Sequence, residues 1–385
     1  MITTGSSSLE LKFEVLIYNG YLEYTSIQRV NIELEEGKHN IATLDVAGIP
    51  PDYLDTYIDL PIAIKVTVGG VRSHTFIGYI AYLEPTSENI KGLVNKSPFQ
   101  TTRMYCFGAS YAMRSRRTEV YNNKTIVQIA KEFADKYNFT VSVPNDPYVY
   151  PRLVQSGESD WEFLVKVAEM SGYRVLMRGV HIDIWDPFAT FGRIATTPLY
   201  AMSGNEGSLN AASGQVIKFH GIVGAVTPFS AKVPDTIHAL VGGDIATLSL
   251  DVSTGLGSAV QSIFADEVAS NADSIEMAKA TLTGRSRQKF PYTAHVDVVG
   301  DPSISPGMLV RIDRYNSALD GIWLVKAVRH EMFRGSCMSY LTLVKDSNAT
   351  TVIDPLEKVT PLPELTEPFI KNMRWATPRE LVNVY

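Results

Sequence analysis

Apolar side chains recur with two different periods along this chain, and each change of period marks a new structural unit. Over residues 9–111 the period is two, beginning with the alternating residues Leu11, Phe13, Val15 and Ile17. This alternation predicts strands with one buried face, and its repetition at short intervals favours a sandwich or a small barrel. We therefore expect residues 1–113 to form a first β-barrel domain.

The run 155–187 begins with a helical period. Ser159 and Glu162 have the spacing of a capping box, which predicts that a helix begins at about Asp160. The apolar residues that follow would share one face of this helix: Trp161, Leu164, Val165 and Ala168. The sequence therefore predicts an amphipathic helix that packs on another part of the chain.

A β-hairpin is expected directly after this helix. Gly172 stands where a left-handed residue commonly ends a helix. Apolar residues then alternate on both sides of an Arg178-Gly179 turn, namely Tyr173, Val175, Met177, Val180, Ile182 and Ile184. The helical period thus gives way to a strand period within one short run.

A second capped helix is predicted upstream. Thr125 and Gln128 have the same capping-box spacing, and an apolar stripe follows. A short strand is expected over 139–143 and a proline-rich loop over 144–151. Residues 114–190 are therefore expected to form a small α/β domain of two helices and three strands.

Strand patterns return over residues 191–346, which we assign to a second β-barrel domain. Brief β signals lie at 216–219 and 246–250, and a capped helix is expected at about 273–283. The expected fold class is mainly β with an α/β insert: two tube-like barrels flank the helix-hairpin domain.

The segment 347–385 carries five prolines, at positions 355, 361, 363, 368 and 378. Proline at this density opposes helix and central strand, so an extended C-terminal arm is expected. Trp375 could anchor the arm on a neighbouring subunit, and the alternative is a disordered end.

Two motifs in this order resemble one family of proteins. The first is the helix and hairpin described above, carried by Ser159, Trp161, Phe163, Leu164, Gly172 and Tyr173. The second is a bend, a turn and a strand, carried by Pro306, Gly307, Asp320, Gly321, Trp323 and His330. Together they resemble phage baseplate central hub proteins of the late control gene D family, which is related to the hub part of type VI secretion spike proteins.

The resemblance implies a structural protein of the virion tail baseplate, without enzymatic activity or cofactor. Hubs of this family are homotrimers that join the sixfold tail tube to a threefold spike and line a central channel. The implied partners are further copies of the chain, a tail tube or tail terminal ring protein, and a spike protein expected to be a separate chain. A tape measure protein and a baseplate wedge are further candidates.

Composition limits the other classes of function. A formal net charge of −6 argues against specific nucleic-acid binding, which needs a basic surface. No apolar run is long enough to span a bilayer, and the N-terminus lacks the features of a secretory signal, so synthesis in the cytoplasm is expected. Cys106 and Cys337 are expected to be small buried residues, because two cysteines cannot form a disulfide framework or a thiolate metal site.

Catalytic patterns are incomplete. His330-Glu331 lacks the second histidine of a zinc protease helix and is interpreted as polar sequence at a strand end. Glu35 and Glu36 are adjacent and would diverge on a strand, so they could not flank one glycosidic bond. The alternatives to a hub are a tail-associated peptidoglycan hydrolase and a carbohydrate-binding adhesin.

Arg114, Arg116 and Arg117 form a basic cluster at the start of the α/β domain. The simpler interpretation is a solvated interdomain loop. The alternative is a contact with an acidic neighbouring subunit.

Overall fold

The computed structural model of the chain describes residues 11–17, 20–22, 27–47, 55–68, 72–88, 99–146, 149–186, 197–201, 215–223, 236–241, 244–249, 262–263, 292–312, 321–333 and 336–345. The helix predicted at 273–283 and the C-terminal arm 347–385 lie outside these residues. So do Asp320 and Trp375. Among the described residues, no helix combines the length and apolarity that crossing a membrane requires.

The N-terminal strands are β1 (Leu11–Ile17), β2 (Gly20–Leu22), β3 (Ile27–Glu35), β4 (Ile41–Ala47), β5 (Pro61–Val68), β6 (Arg72–Glu88) and β7 (Phe99–Gly108). They pair in the order β3-β4-β7-β6-β5-β1-β2, and every pair is antiparallel. Along β4 the side chains of Ala42, Leu44 and Val46 are buried, while Thr43 and Asp45 face the other side. The predicted period of two therefore places one face of this part in a core.

The α/β module follows and consists of a 3₁₀ helix (Ala109–Arg114), β8 (Arg116–Lys124), α1 (Ile126–Tyr137), β9 (Thr140–Ser142), β10 (Tyr150–Ser159), α2 (Asp160–Met170), β11 (Arg174–Arg178) and β12 (His181–Trp185). β8 pairs with β10, whereas β9, β12 and β11 form a second small sheet. The module has five strands where the sequence predicted three, because β8 and β10 were both missed; in β10 the fully buried Gln155 breaks the apolar alternation.

Both predicted capping boxes are present. Thr125 and Gln128 close the start of α1, and Ser159 and Glu162 close the start of α2. Gly172 has a φ of +80°, the left-handed conformation expected after α2. These local predictions are confirmed because each depends on residues only a few positions apart.

The C-terminal strands are β13 (Thr197–Ala201), β14 (Gln215–Val223), β15 (Thr236–Val241), β16 (Asp244–Ser249), β17 (Ser262–Ile263), β18 (Tyr292–Val299), β19 (Leu309–Ile312), β20 (Gly321–Phe333) and β21 (Ser336–Lys345). Their main pairings run β19-β13-β14-β18-β21-β20, and β19 also pairs with β20. A path that follows the paired strands from β19 to β20 therefore ends again at β19. β15, β16 and β17 form a separate small sheet.

The long strand β20 joins the two groups of strands. Its first part, from Gly321 to Leu324, pairs with β19, whereas Ala327 to Phe333 pairs with β3. An irregularity between Val325 and Ala327 separates the two parts. The two groups of strands, which the sequence predicted to form separate barrels, are therefore joined in one continuous 13-stranded sheet, a feature that the sequence did not predict.

Two cores lie on opposite sides of the N-terminal strands. One core runs across both groups of strands and contains Ile32 and Trp323. The other core lies under the α/β module, where Leu16, Ala63 and Ile77 of the sheet pack with residues such as Phe163. β1, β5 and β6 are therefore buried on both faces, which fixes the module on the sheet.

Candidate assembly surface

Opposite the shared core, one row of side chains crosses eight neighbouring strands. The row follows the strand register through β14, β18, β21, β20, β3, β4, β7 and β6, and its members are Lys218, Asp297, Tyr340, Arg329, Glu33, Ile41, Phe107 and Tyr79. Strands lie about 4.8 Å apart, so the row is roughly 34 Å long. The tertiary pairing of β3 with β20 makes it continuous.

Two further rows lie beside the first. One contains Glu331, Asn31, Thr43, Tyr105 and Tyr82, and the other contains Phe333, Arg29, Asp45, Arg103 and Glu84. We call the three rows together the outer sheet face. Its side chains are mostly polar, because they are the members of each strand that do not enter the core.

Cross-strand pairs connect the charges of this face. Arg103 donates to both oxygens of Asp45, from Nε at 2.6 Å and from Nη2 at 3.0 Å. Hydrogen bonds to Asp45 and Tyr105 raise the pKa of Arg103. Arg29 donates to Glu331. These partially exposed pairs fix side-chain positions more than they stabilise the fold.

An open depression of about 360 Å³ lies on the face where the two groups of strands meet. Its lining is Glu33, Leu34, Glu35, His295, Asp297, Ala327, Val328, Arg329, Tyr340, Leu341 and Thr342. The guanidinium of Arg329 lies 4.5 Å from the ring centre of Tyr340. The depression is thus lined by the carboxylates of Glu33, Glu35 and Asp297 and by the guanidinium of Arg329, which lies over the Tyr340 ring.

Stacked aromatic rings occupy the other end of the face. The rings of Tyr82 and Tyr105 lie 4.2 Å apart, and those of Phe107 and Tyr111 lie 4.8 Å apart. Tyr82 is 49% exposed. Arg114, one of the predicted intersubunit residues, places its guanidinium 4.2 Å from the Tyr111 ring centre. This end of the face combines aromatic and cationic groups that are enriched in protein interfaces.

The first motif docks the α/β module on the β3–β4 turn. Trp161 of α2 donates from Nε1 to the Gly37 oxygen at 3.1 Å, and its ring stacks on His39 at 5.8 Å. Of the other residues of the first motif, Ser159 caps α2 and Gly172 follows its end. Phe163, Leu164 and Tyr173 lie in the core under the module. Their arrangement is structural, and Trp161 links the module to the sheet.

The second motif contacts the hairpin of the α/β module. Arg178 donates to Ser305 Oγ and to the Pro306 oxygen, both at 2.7 Å. Gly307 has a φ of +82°, and a Cβ there would lie 3.0 Å from Trp185 Cζ2. The bend therefore needs glycine both for its conformation and for the close approach of Trp185.

Three other residues of the second motif lie in β20. Gly321, with a φ of +120°, opens the strand, and Trp323 is fully buried. His330 also lies inside the strand, so the interpretation as a strand end is wrong. It is fully buried and bonds to Ser339 Oγ at 2.8 Å and the Ile304 oxygen at 2.9 Å. Burial lowers the pKa of His330 to about 4.

The arginine cluster divides in the structure. Arg116 is exposed and makes a surface ion pair with Glu162 at 3.2 Å. Arg117 instead donates from Nε to buried Asp160 at 2.7 Å. Arg114 and Arg116 are therefore the exposed members of the cluster.

Sequence reasoning missed the network around Asp160. This fully buried carboxylate accepts hydrogen bonds from four side chains: Arg117, Lys136, Tyr137 and Gln155. Burial opposes ionisation, but the bonds from Lys136 and the other donors outweigh it and hold the pKa of Asp160 below its usual value. An acidic residue at a helix start gave no sign of burial, because its cationic partners are distant in sequence.

Within the described parts of the chain, no three His, Cys, Asp or Glu side chains are grouped as metal ligands. Cys106 and Cys337 are buried free thiols, as predicted.

The fold is similar to those of solved tail proteins. The 43 kDa tail protein of prophage MuSo2 from Shewanella oneidensis matches with a TM-score of 0.60 at 14% identity, over 88% of this chain and 99% of that one. A tail protein from Neisseria meningitidis MC58 matches with a TM-score of 0.60 at 13% identity, over 87% and 96% of the two chains. The chain therefore has the fold of these tail proteins over nearly their whole length.

A third similar structure comes from a secretion system. It is an E. coli protein described as a component of the type VI secretion system with structural similarity to the T4 bacteriophage tail proteins gp27 and gp5. It matches with a TM-score of 0.55 at 10% identity, over 88% of this chain and 78% of that one.

The sequence comparisons do not assign the chain to a family. A family model described as the Alg8 N-terminal domain matches residues 94–198, well under half of the chain. No curated protein sequence matches this chain.

Proposed function

We propose that this protein is the central hub of the baseplate of a phage tail or a phage-like injection device. Three copies form a ring that joins the sixfold tail tube to a threefold spike and encloses a channel. The observation that carries this proposal is the fold shared with a prophage tail protein and a second tail protein over 96% or more of their chains. The protein is accordingly a structural part of the virion, not an enzyme.

The eight-stranded outer sheet face supports the change of symmetry. Four of its strands, β14, β18, β21 and β20, come from the C-terminal group, and four, β3, β4, β7 and β6, come from the N-terminal group. Two similar halves per chain in a trimer present six near-equivalent units to a sixfold tube. The circuit of pairings from β19 back to β19 is consistent with a barrel-like C-terminal half.

The outer sheet face lines the channel in this proposal. Its carboxylates are Asp297, Glu33, Glu331, Asp45 and Glu84, and its cations are Lys218, Arg329, Arg29 and Arg103. The slight negative excess would keep a passing nucleic acid from adhering through like-charge repulsion. Replacing Glu33 and Asp297 with lysine is expected to slow genome ejection, and unchanged ejection would contradict the acidic lining.

The proposed partners are a tail tube or tail terminal ring protein on one side and a separate spike protein on the other. The tape measure protein and a baseplate wedge are further candidates for contacts with the ring. The exposed Arg114 and Arg116 are proposed to contact the neighbouring subunit.

Light scattering and negative-stain imaging of the purified full chain test the proposal. We expect a mass of three chains and a ring with a central hole. A chain that stays monomeric at high concentration would overturn the trimer. Clearing of purified cell walls, or specific binding on a glycan array, would favour the hydrolase or the adhesin instead.

A further inference from the structure

Glu36 lies where the two groups of strands and the α/β module meet. Its main-chain N–H donates to the Lys326 oxygen of β20 at 3.4 Å. The next residue, Gly37, donates to the Val175 oxygen of β11 at 2.8 Å. The Glu36 side chain is only 5% exposed. The segment that carries this carboxyl therefore contacts all three parts.

The Glu36 carboxyl is buried with an incomplete set of partners. Among the described residues, Oε1 has no hydrogen-bond partner. Oε2 lies 3.6 Å from Arg174 Nε, which is beyond hydrogen-bond distance, and that Nε also has no hydrogen-bond partner in the described chain. A buried carboxylate in this state has lost water without full replacement, which favours its neutral form.

Charged groups from each surrounding element act on this carboxyl. Burial raises the pKa of Glu36 to about 7, Arg174 of β11 and Lys326 of β20 oppose the rise, and Glu35 of β3 and Glu169 of α2 add to it. Ionisation of Glu36 therefore falls in the neutral range, whereas an exposed glutamate is ionised well below it.

We propose that Glu36 is a proton-operated latch that controls how firmly the α/β module is docked on the β3–β4 turn. The neutral carboxyl remains buried at the junction. The ionised carboxyl favours water, so the junction opens more often. Because the folded chain holds the proton more tightly than an opened junction does, docking is firmest in mild acid and weakens as the pH rises through about 7.

Hydrogen exchange read by mass spectrometry tests the latch on the intact chain. The reporter is the peptide that contains the Gly37 amide, with rates corrected for the intrinsic effect of pH. We expect its protection factor to fall by at least about tenfold between pH 5 and pH 8. The variant Glu36→Gln should keep the protection of the acidic form at both pH values, because its side chain cannot ionise.

Two further variants make the result specific. Glu35→Gln is the matched control, because the adjacent Glu35 is partly exposed and pairs with Lys38. It should retain most of the pH dependence. Arg174→Gln removes the cation nearest the carboxyl, so the transition should move to higher pH. A wild-type protein without pH dependence, or a Glu36→Gln variant with the wild-type profile, would overturn the proposal.

Discussion

Arg178 of β11 donates a hydrogen bond from Nη2 to the main-chain oxygen of Pro306 at 2.7 Å. The same guanidinium donates to Ser305 Oγ and, from Nε, to Asp183 at 2.9 Å. One side chain of the module thus holds the bend that precedes β19. Arg174, four residues earlier on the same strand, faces Glu36 on the N-terminal side. β11 therefore bridges the two groups of strands.

Replacing Arg178 with alanine should weaken this bridge. We expect the free energy of unfolding to fall by about 3 kcal/mol, because the Ser305 and Pro306 acceptors and the Asp183 carboxylate lose a charged donor. Urea unfolding followed by tryptophan fluorescence measures the change. Arg152→Ala, at an exposed arginine of β10, is the control and should change stability by no more than about 0.5 kcal/mol. Equal effects of the two variants would contradict the assigned role.

Alanine substitutions at two glycines distinguish the cost of steric crowding from the cost of backbone strain. Gly307 and Gly157 both have left-handed φ angles, of +82° and +69°. A Cβ at Gly307 would lie 3.0 Å from Trp185, whereas a Cβ at Gly157 has no atom within 4 Å. Gly157→Ala should cost about 1 kcal/mol of stability from strain alone. Gly307→Ala should cost clearly more in the same thermal or urea measurement, and a smaller cost would show that the bend adapts freely.

Replacing Asp160 with asparagine should destabilise the module in a pH-dependent way. At pH 7 we expect a loss of about 3 kcal/mol, because Arg117 and Lys136 lose their buried partner. Since folding lowers the pKa of Asp160, its ionised form contributes stability above the usual carboxyl pKa, and this contribution disappears as the pH falls through the lowered value.

The difference between the wild type and Asp160→Asn should therefore shrink below about pH 4. Chemical unfolding at a series of pH values measures it. Asp135→Asn, on the exposed side of α1, is the control and should show no such trend. A constant difference across the series would contradict the role of the ionised carboxylate.

Charge reversal at Arg114 and Arg116 tests their proposed contact with a neighbouring subunit. The double variant Arg114→Glu, Arg116→Glu should shift the light-scattering mass from that of the proposed trimer toward that of a monomer, because it would repel the acidic surface proposed on the neighbouring subunit. Its own fold should change little, because Arg116 and its partner Glu162 form an exposed pair. Lys131→Glu, at an exposed position of α1, should leave the mass unchanged. An unaltered mass in the double variant would remove these arginines from the interface.

The sequence by itself determined the elements whose signals lie within a few residues. The capping boxes of α1 and α2, the left-handed Gly172 and the hairpin after it were all predicted correctly, because a cap or a turn depends on neighbouring main-chain groups. The period of two likewise predicted strands such as β1 and β3, but not that the α/β module buries the second face of β1, β5 and β6.

Tertiary structure alone decided how these elements meet. The pairing of β3 with β20 joins residues about 300 positions apart, and the Asp160 and Glu36 environments gather partners from several elements. No local pattern encodes such contacts, because hydrogen bonding between strands is the same for any two strands with matching alternation. The choice of partner, and with it the continuous outer sheet face, depends on packing the whole core at once.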